Sequence, residues 1–177
     1  MTDEARGGET TRLRTGEAWW APVLRLLRWL LGAASLVAGL TWILINTSGP
    51  SALLDALVGC VLAAGGLVLL MPHRIRLPRI ATAAAMTVTA VGGAALGLLA
   101  GRAQTCCMYA YIADRGWPFH WVQRGAVADD PDTAQRLTQG ANWHVDLVSL
   151  AGNLLVFAYA GLVLVVIVVL VRSRRRS

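Results

Sequence analysis

The sequence predicts an all-α integral membrane protein: four transmembrane helices, with one short helix in the loop between the third and the fourth. Three observations predict it. Four apolar runs, at about residues 23–45, 52–71, 80–101 and 145–171, each approach the ~20 residues that cross a ~30 Å hydrocarbon layer. The chain is 56% hydrophobic and only 15% charged, too little polar surface to enclose a soluble core of 177 residues. Finally, its sixteen basic residues are all arginine, and they are unevenly placed. Five lie up to the opening turns of the first run, none in the first gap, three in the second, four in the third and four after the last. Arginine-rich loops resist translocation, so both termini and the second gap are expected on the cytoplasmic side of the cell membrane, twelve arginines against four.

The net charge of +6 raises nucleic acid as a partner. The arginines flank apolar spans, however, where they fix orientation and meet lipid head groups, and no soluble domain remains to gather them on one face. The expected partners are therefore the lipid bilayer and other membrane proteins or a second copy of the chain, with no nucleic acid.

Residues 1–18 are polar and mixed in charge and read as a mobile cytoplasmic tail. The run that follows is longer than the ~7–15 residues of a secretory apolar core, so the first span, Val23 to Ile45, reads as a retained anchor. Pro22 suits a helix start, Arg25 and Arg28 share one face, and Trp19, Trp20 and Trp29 mark the inner interface with Trp42 at the outer one. The turn cluster at 46–51 is short enough to force an antiparallel hairpin with the second span, Ala52 to Met71, which carries Asp55 in its first turn. Pro72 ends that span, and the link to Arg79 holds three arginines between two prolines.

The third span, Ile80 to Gly101, is rich in small residues, with Gly93, Gly97 and Gly101 at a four-residue interval. Such a stripe permits close backbone approach, either to another helix of the same chain or across a homodimer seam. Residues 102–144 form the one sizeable segment expected outside the bilayer. Within it Asp130 reads as a cap, Pro131 as the first helical residue and Gly140 as the stop of a helix over about 131–139. The fourth span, Val145 to Val171, opens with Asp146, Ser149 and Asn153 on a shared face and ends in the basic tail 172–177. Asn153 is expected to hydrogen-bond between helices.

The candidate functional residues gather in the loop: Cys106, Cys107, Asp114, Arg115, Gly116, Trp117, Pro118, Phe119, His120 and Trp121, with His144 and Asp146 beyond it. Arg115, Gly116, Trp117, Pro118, Phe119 and Trp121 form an Arg-Gly-aromatic-Pro-apolar-x-Trp element, and Trp143 with Asp146 opens the last span. In these residues the chain resembles small uncharacterised bacterial membrane proteins with four spans. The resemblance covers about residues 102–160 and implies a shared architecture without a known activity. His120 departs from the pattern, standing where a second proline or another residue is often found.

Physically, Trp117, Phe119, Trp121 and Trp143 suit a membrane–water boundary, and Gly116 and Pro118 let the chain turn back there. The element reads as a structural re-entrant or interfacial loop, with a lid or docking edge for a lipid or partner protein as its functional alternative. Adjacent Cys106 and Cys107 lack the Cys-x-x-Cys spacing of a thiol oxidoreductase. His120, His144 and the cysteines are the ligand types of zinc or copper but lack ligand spacing, and the aspartates near 130 lack the glycine and glutamate of a calcium loop. No metal and no cofactor is expected. The interiors of spans two to four carry no ionisable side chain to bind a coupled ion. The expected class is a non-enzymatic accessory or scaffold protein. The alternative is an enzyme or carrier acting on a lipid or small molecule at the outer leaflet through His120, His144, Asp114 or Asp146.

Overall fold

Among the described residues, four helices are long and apolar enough to cross a membrane: α1 (Ala21–Ile45), α2 (Ala52–Leu70), α3 (Arg79–Gly97) and, after an intervening module, α5 (Leu147–Arg174). The structure, a computed structural model, describes residues 20–46, 51–71, 78–106 and 109–175. The polar lead at 1–18, Trp19, most of the turn at 46–51, most of the basic link at 72–79, Cys107 and the last two residues of the tail lie outside the described residues.

The all-α expectation is corrected by the module between α3 and α5. There the chain folds into an antiparallel meander of β1 (Gly101–Cys106), β2 (Ala110–Arg115), β3 (Val122–Val127) and β4 (His144–Val145), in that spatial order, with α4 (Pro131–Gly140) between β3 and β4. These strands are short and rich in Ala, Gly, Gln and Arg, which are weak strand formers; backbone ladders and the cover of α4 hold them. Helix α4 buries Ala134 and Thr138 on the sheet, and the Thr138 hydroxyl donates to the carbonyls of Tyr111 (3.2 Å) and Ala134 (2.8 Å). Its N-cap is Asp130, which accepts from the Thr133 N–H at 2.8 Å, so Pro131 begins the helix without leaving a donor unmet.

One span shortens and another starts later as a result. Helix α3 ends at Gly97 in tight i to i−3 bonds, Leu98 to Ala95, Leu99 to Leu96 and Ala100 to Gly97 at 3.0–3.2 Å, and Gly101 is the first residue of β1. The expected Gly93-Gly97-Gly101 stripe is thus split between a helix and a strand. Val145 likewise belongs to β4, and α5 starts at Leu147, capped by Asp146.

The closest backbone approach between helices lies elsewhere. Helices α1 and α2 cross backbone to backbone at two glycine pairs: a Cβ on Gly39 would stand 2.5 Å from the Gly59 carbonyl oxygen, and one on Gly66 2.6 Å from that of Gly32. Removing side chains at these four points lets the helices approach and gain dispersion contacts along their length. Helices α3 and α5 pack as a second antiparallel pair, with the Phe157 ring filling the space over Gly93 and Thr89 and Ala85 against Gly161. Tyr159 of α5 joins the two pairs. It lies against Gly65 of α2, and its hydroxyl pairs with Ser35 of α1 at 2.9 Å, both residues buried. Val58, Leu62, Val156, Tyr159 and Leu162 form the core of this bundle.

Gly92 has nothing within 4 Å of where a Cβ would stand. Gly92→Ala is therefore expected to raise stability by about 0.5–1 kcal/mol through reduced chain entropy, measured as a higher Tm in detergent.

Candidate functional site

The Arg-Gly-Trp-Pro-Phe-His-Trp element is the connection of a hairpin, since Arg115 ends β2 opposite Val122 of β3. It bends back into the helices. Gly116 is buried with φ +117°, a backbone conformation that suits glycine, and a Cβ there would stand 2.6 Å from the Trp121 ring. Its N–H donates to the Ala100 carbonyl at 3.0 Å, joining the hairpin to the end of α3. The Trp117–Pro118 bond is cis. Trp121 N–H then donates to the Arg115 carbonyl (3.1 Å), and the Trp121 carbonyl accepts from Asp146 N–H (2.8 Å), so the connection is closed at both ends.

Its tip rests on a floor of glycines. A Cβ on Gly97 of α3 would stand 2.6 Å from the Trp117 carbonyl oxygen, and one on Gly152 of α5 3.0 Å from the Phe119 ring. Both rings enter the bundle: Phe119 meets Trp42 of α1 edge to face at 5.2 Å, and Trp117 lies 6.1 Å from Phe157. Asn153 of α5 fixes the arrangement. Its Oδ1 accepts from Phe119 N–H at 2.9 Å and its Nδ2 donates to the Phe119 carbonyl at 2.7 Å, so one side-chain amide pairs with both backbone groups of one residue as a neighbouring strand does. Asn153 is 0% exposed. It binds the hairpin, where the sequence had suggested a helix partner.

The other candidates are dispersed. His120 is exposed at the hairpin, and His144 is exposed in β4 opposite Gln123. Asp114 lies opposite Arg102 of β1 and Gln123 of β3, and Cys106 ends β1 opposite Ala110. Cys107 lies outside the described residues. Asp146 is a helix cap: its Oδ1 accepts from Val148 N–H (2.9 Å) and Ser149 N–H (3.3 Å), and its Oδ2 from the Ser149 hydroxyl (2.6 Å). The Ser149 hydroxyl and then the two backbone donors hold its carboxyl below the usual aspartate range. A depressed carboxylate stabilises the fold above its unfolded pKa of about 3.9, and that stabilisation is lost as the pH falls through the folded value. Acidification below pH ~4 is thus expected to lower the Tm less in Asp146→Asn than in the parent chain, as Tm against pH will show. Among the described residues, no three His, Cys, Asp or Glu side chains gather as metal ligands.

One further concavity lies between the sheet and α4, with a volume of about 280 Å³. Arg115 and Arg124 border it from the sheet face that α4 covers, and the adjoining strand positions Arg102 and Asp114 alternate to the other face. The guanidinium carbons of Arg115 and Arg124 lie 5.1 and 4.3 Å from the centroid of the Trp143 ring, and Arg124 also donates to the Gln139 carbonyl at 3.2 Å. Arg115 and Trp143 belong to the motif residues of the sequence, and Arg124 is an addition from the fold. The signal available was a strand register placing Arg124 beside Ala113 and hence on the same face as Arg115.

No family model, no curated protein and no solved structure matches this chain.

Proposed function

We propose that this chain is a multi-pass protein of the cell membrane that holds a small β-sheet module rigidly at the outer membrane surface, as a non-enzymatic scaffold for other membrane components. Four apolar helices of spanning length support insertion, and the arginine distribution supports placing both termini inside. The observation that carries the scaffold reading is the double hydrogen bond between Asn153 and Phe119. Through it the most distinctive stretch of the sequence joins module to bundle, and its aromatic rings fill the interior instead of lining a reaction site. Asp146 serves as a helix cap and His120 is exposed at the hairpin. Asp114 and His144 flank Gln123 in one row of the sheet, two strand spacings or about 10 Å apart, beyond direct hydrogen-bond reach for acid–base work.

Two measurements test this. An introduced cysteine at exposed Gln135 should react with an impermeant maleimide on intact cells, whereas a reporter fused after Ser177 should be active only inside. In a deletion strain, a His120→Ala/His144→Ala variant should restore the parental phenotype as well as the unaltered chain does. Loss of complementation by that variant at unchanged expression would favour an enzyme or carrier at the outer leaflet.

A further inference from the structure

We infer that the cleft between the sheet and α4 binds a phosphate group at the membrane surface, that of an anionic lipid head group. The inference rests on the membrane placement proposed above and adds the ligand class.

Charge is the first argument. Arg115 and Arg124 converge on one indole, which places two cations less than ~10 Å apart, within a single Debye length at ordinary salt. Among the described residues neither guanidinium is paired with a carboxylate, and Arg124 Nε is buried without an acceptor. Asp114, the one acidic residue of the lining, is paired in register with Arg102 and Gln123 on the alternate face of the sheet from Arg115 and Arg124. Two like charges held on one ring in this way repel, and an anion bound in the adjoining cleft offsets the repulsion. Stacking on Trp143 fixes the guanidinium groups, and fixed planar donors suit the oxygens of a phosphate.

Height is the second. Gly101, at the floor of the cleft, lies four residues beyond the end of α3, and Arg115 is its strand partner. Trp143 lies four residues before the start of α5. The arginines therefore stand just above the ends of the apolar helices, in the few ångströms that head groups occupy beyond the ~30 Å hydrocarbon layer. Size is the third: about 280 Å³ is just below the ~300–1,000 Å³ of pockets that enclose whole small molecules. A head group fits, while acyl chains would lie along the exposed leucines and valines of the helices.

Native mass spectrometry of the full chain in detergent, titrated with phosphatidylglycerol, phosphatidylcholine or inorganic phosphate, tests the inference. The parent chain should retain one phosphatidylglycerol in preference to phosphatidylcholine. Arg115→Gln/Arg124→Gln should weaken that binding about tenfold or more, the loss of at least one charge-assisted hydrogen bond. Arg136→Gln, which removes the same charge from α4 outside the cleft lining, should bind as the parent does. Competition by inorganic phosphate at similar concentration would assign the site to phosphate in general; its failure to compete would assign it to the lipid. Equal retention of the two lipids, or an equal loss in Arg136→Gln, would overturn the inference. Should the double variant not fold, hydrogen exchange on the parent chain decides: phosphatidylglycerol should slow amides at 122–127 and 139–143, and unchanged exchange there refutes the site. These readings in detergent are independent of sidedness. Maleimide labelling of Gln135→Cys from the inside alone would overturn the membrane placement and leave the phosphate measurement to be judged by itself.

Discussion

Replacing Asn153 with leucine is expected to cost roughly 2–5 kcal/mol of stability, from two stranded backbone groups at ~1–3 kcal/mol each. The side chain is fully buried, and it serves both the N–H and the carbonyl of Phe119. Leucine keeps the branched outline of asparagine and is bulkier, but it offers neither donor nor acceptor, so the loss reflects unmet hydrogen bonds and not an empty cavity. The loss should be local in its first effect: the hairpin lifts, and Phe119 leaves the edge of Trp42. Phe119→Ala should cost a similar ~3–5 kcal/mol by leaving a void. Because the two residues share one contact, the double variant should be less destabilised than the two single effects together. Unfolding in detergent, followed by tryptophan fluorescence, measures all three.

The second large effect is expected at Gly39. A Cβ there would stand 2.5 Å from the Gly59 carbonyl oxygen and 2.7 Å from the Ala63 nitrogen, both backbone atoms of α2. Backbone of a helix does not yield as a side chain does, so Gly39→Leu must drive α1 away from α2 along its whole length. Separation also breaks the second glycine crossing, at Gly32 and Gly66, and draws Ser35 from Tyr159. The expected cost is ~3 kcal/mol or more, at or above the upper end of ordinary overpacking. Gly92→Ala, on an open face, is the matched comparison and should move stability the other way. A variant at Gly39 as stable as the parent chain would mean that the two helices do not meet there.

Much of the helical frame was legible because apolar runs of spanning length are a strong signal. The start of α4 was legible for a local reason: Asp130 and Pro131 satisfy the first turn with residues adjacent in sequence. The sheet was not. Its strands alternate weakly, and small residues such as Ala113 and Ala126 carry little of the apolar contrast that marks a half-buried strand. The glycine crossings were hidden for another reason. Gly32 and Gly39 on α1, and Gly59 and Gly66 on α2, recur every seven residues and become a pattern only when two helices are compared, whereas Gly93, Gly97 and Gly101 drew the eye within one run. Asn153 stands out in the sequence as a polar group in an apolar helix. Its partner 34 residues earlier could not be read from spacing, since the hairpin must first bend back to bring Phe119 to it.

The 116–121 hairpin is part of the bundle and not a free surface loop. Amide hydrogen exchange of the full chain in lipid nanodiscs reads this out at Phe119, whose N–H is donated to a buried side chain. Exchange as slow as that of the core amides of α5, and fast exchange in Asn153→Ala, is the predicted result. Exchange of Phe119 in the parent chain at the rate of an unprotected peptide would contradict it.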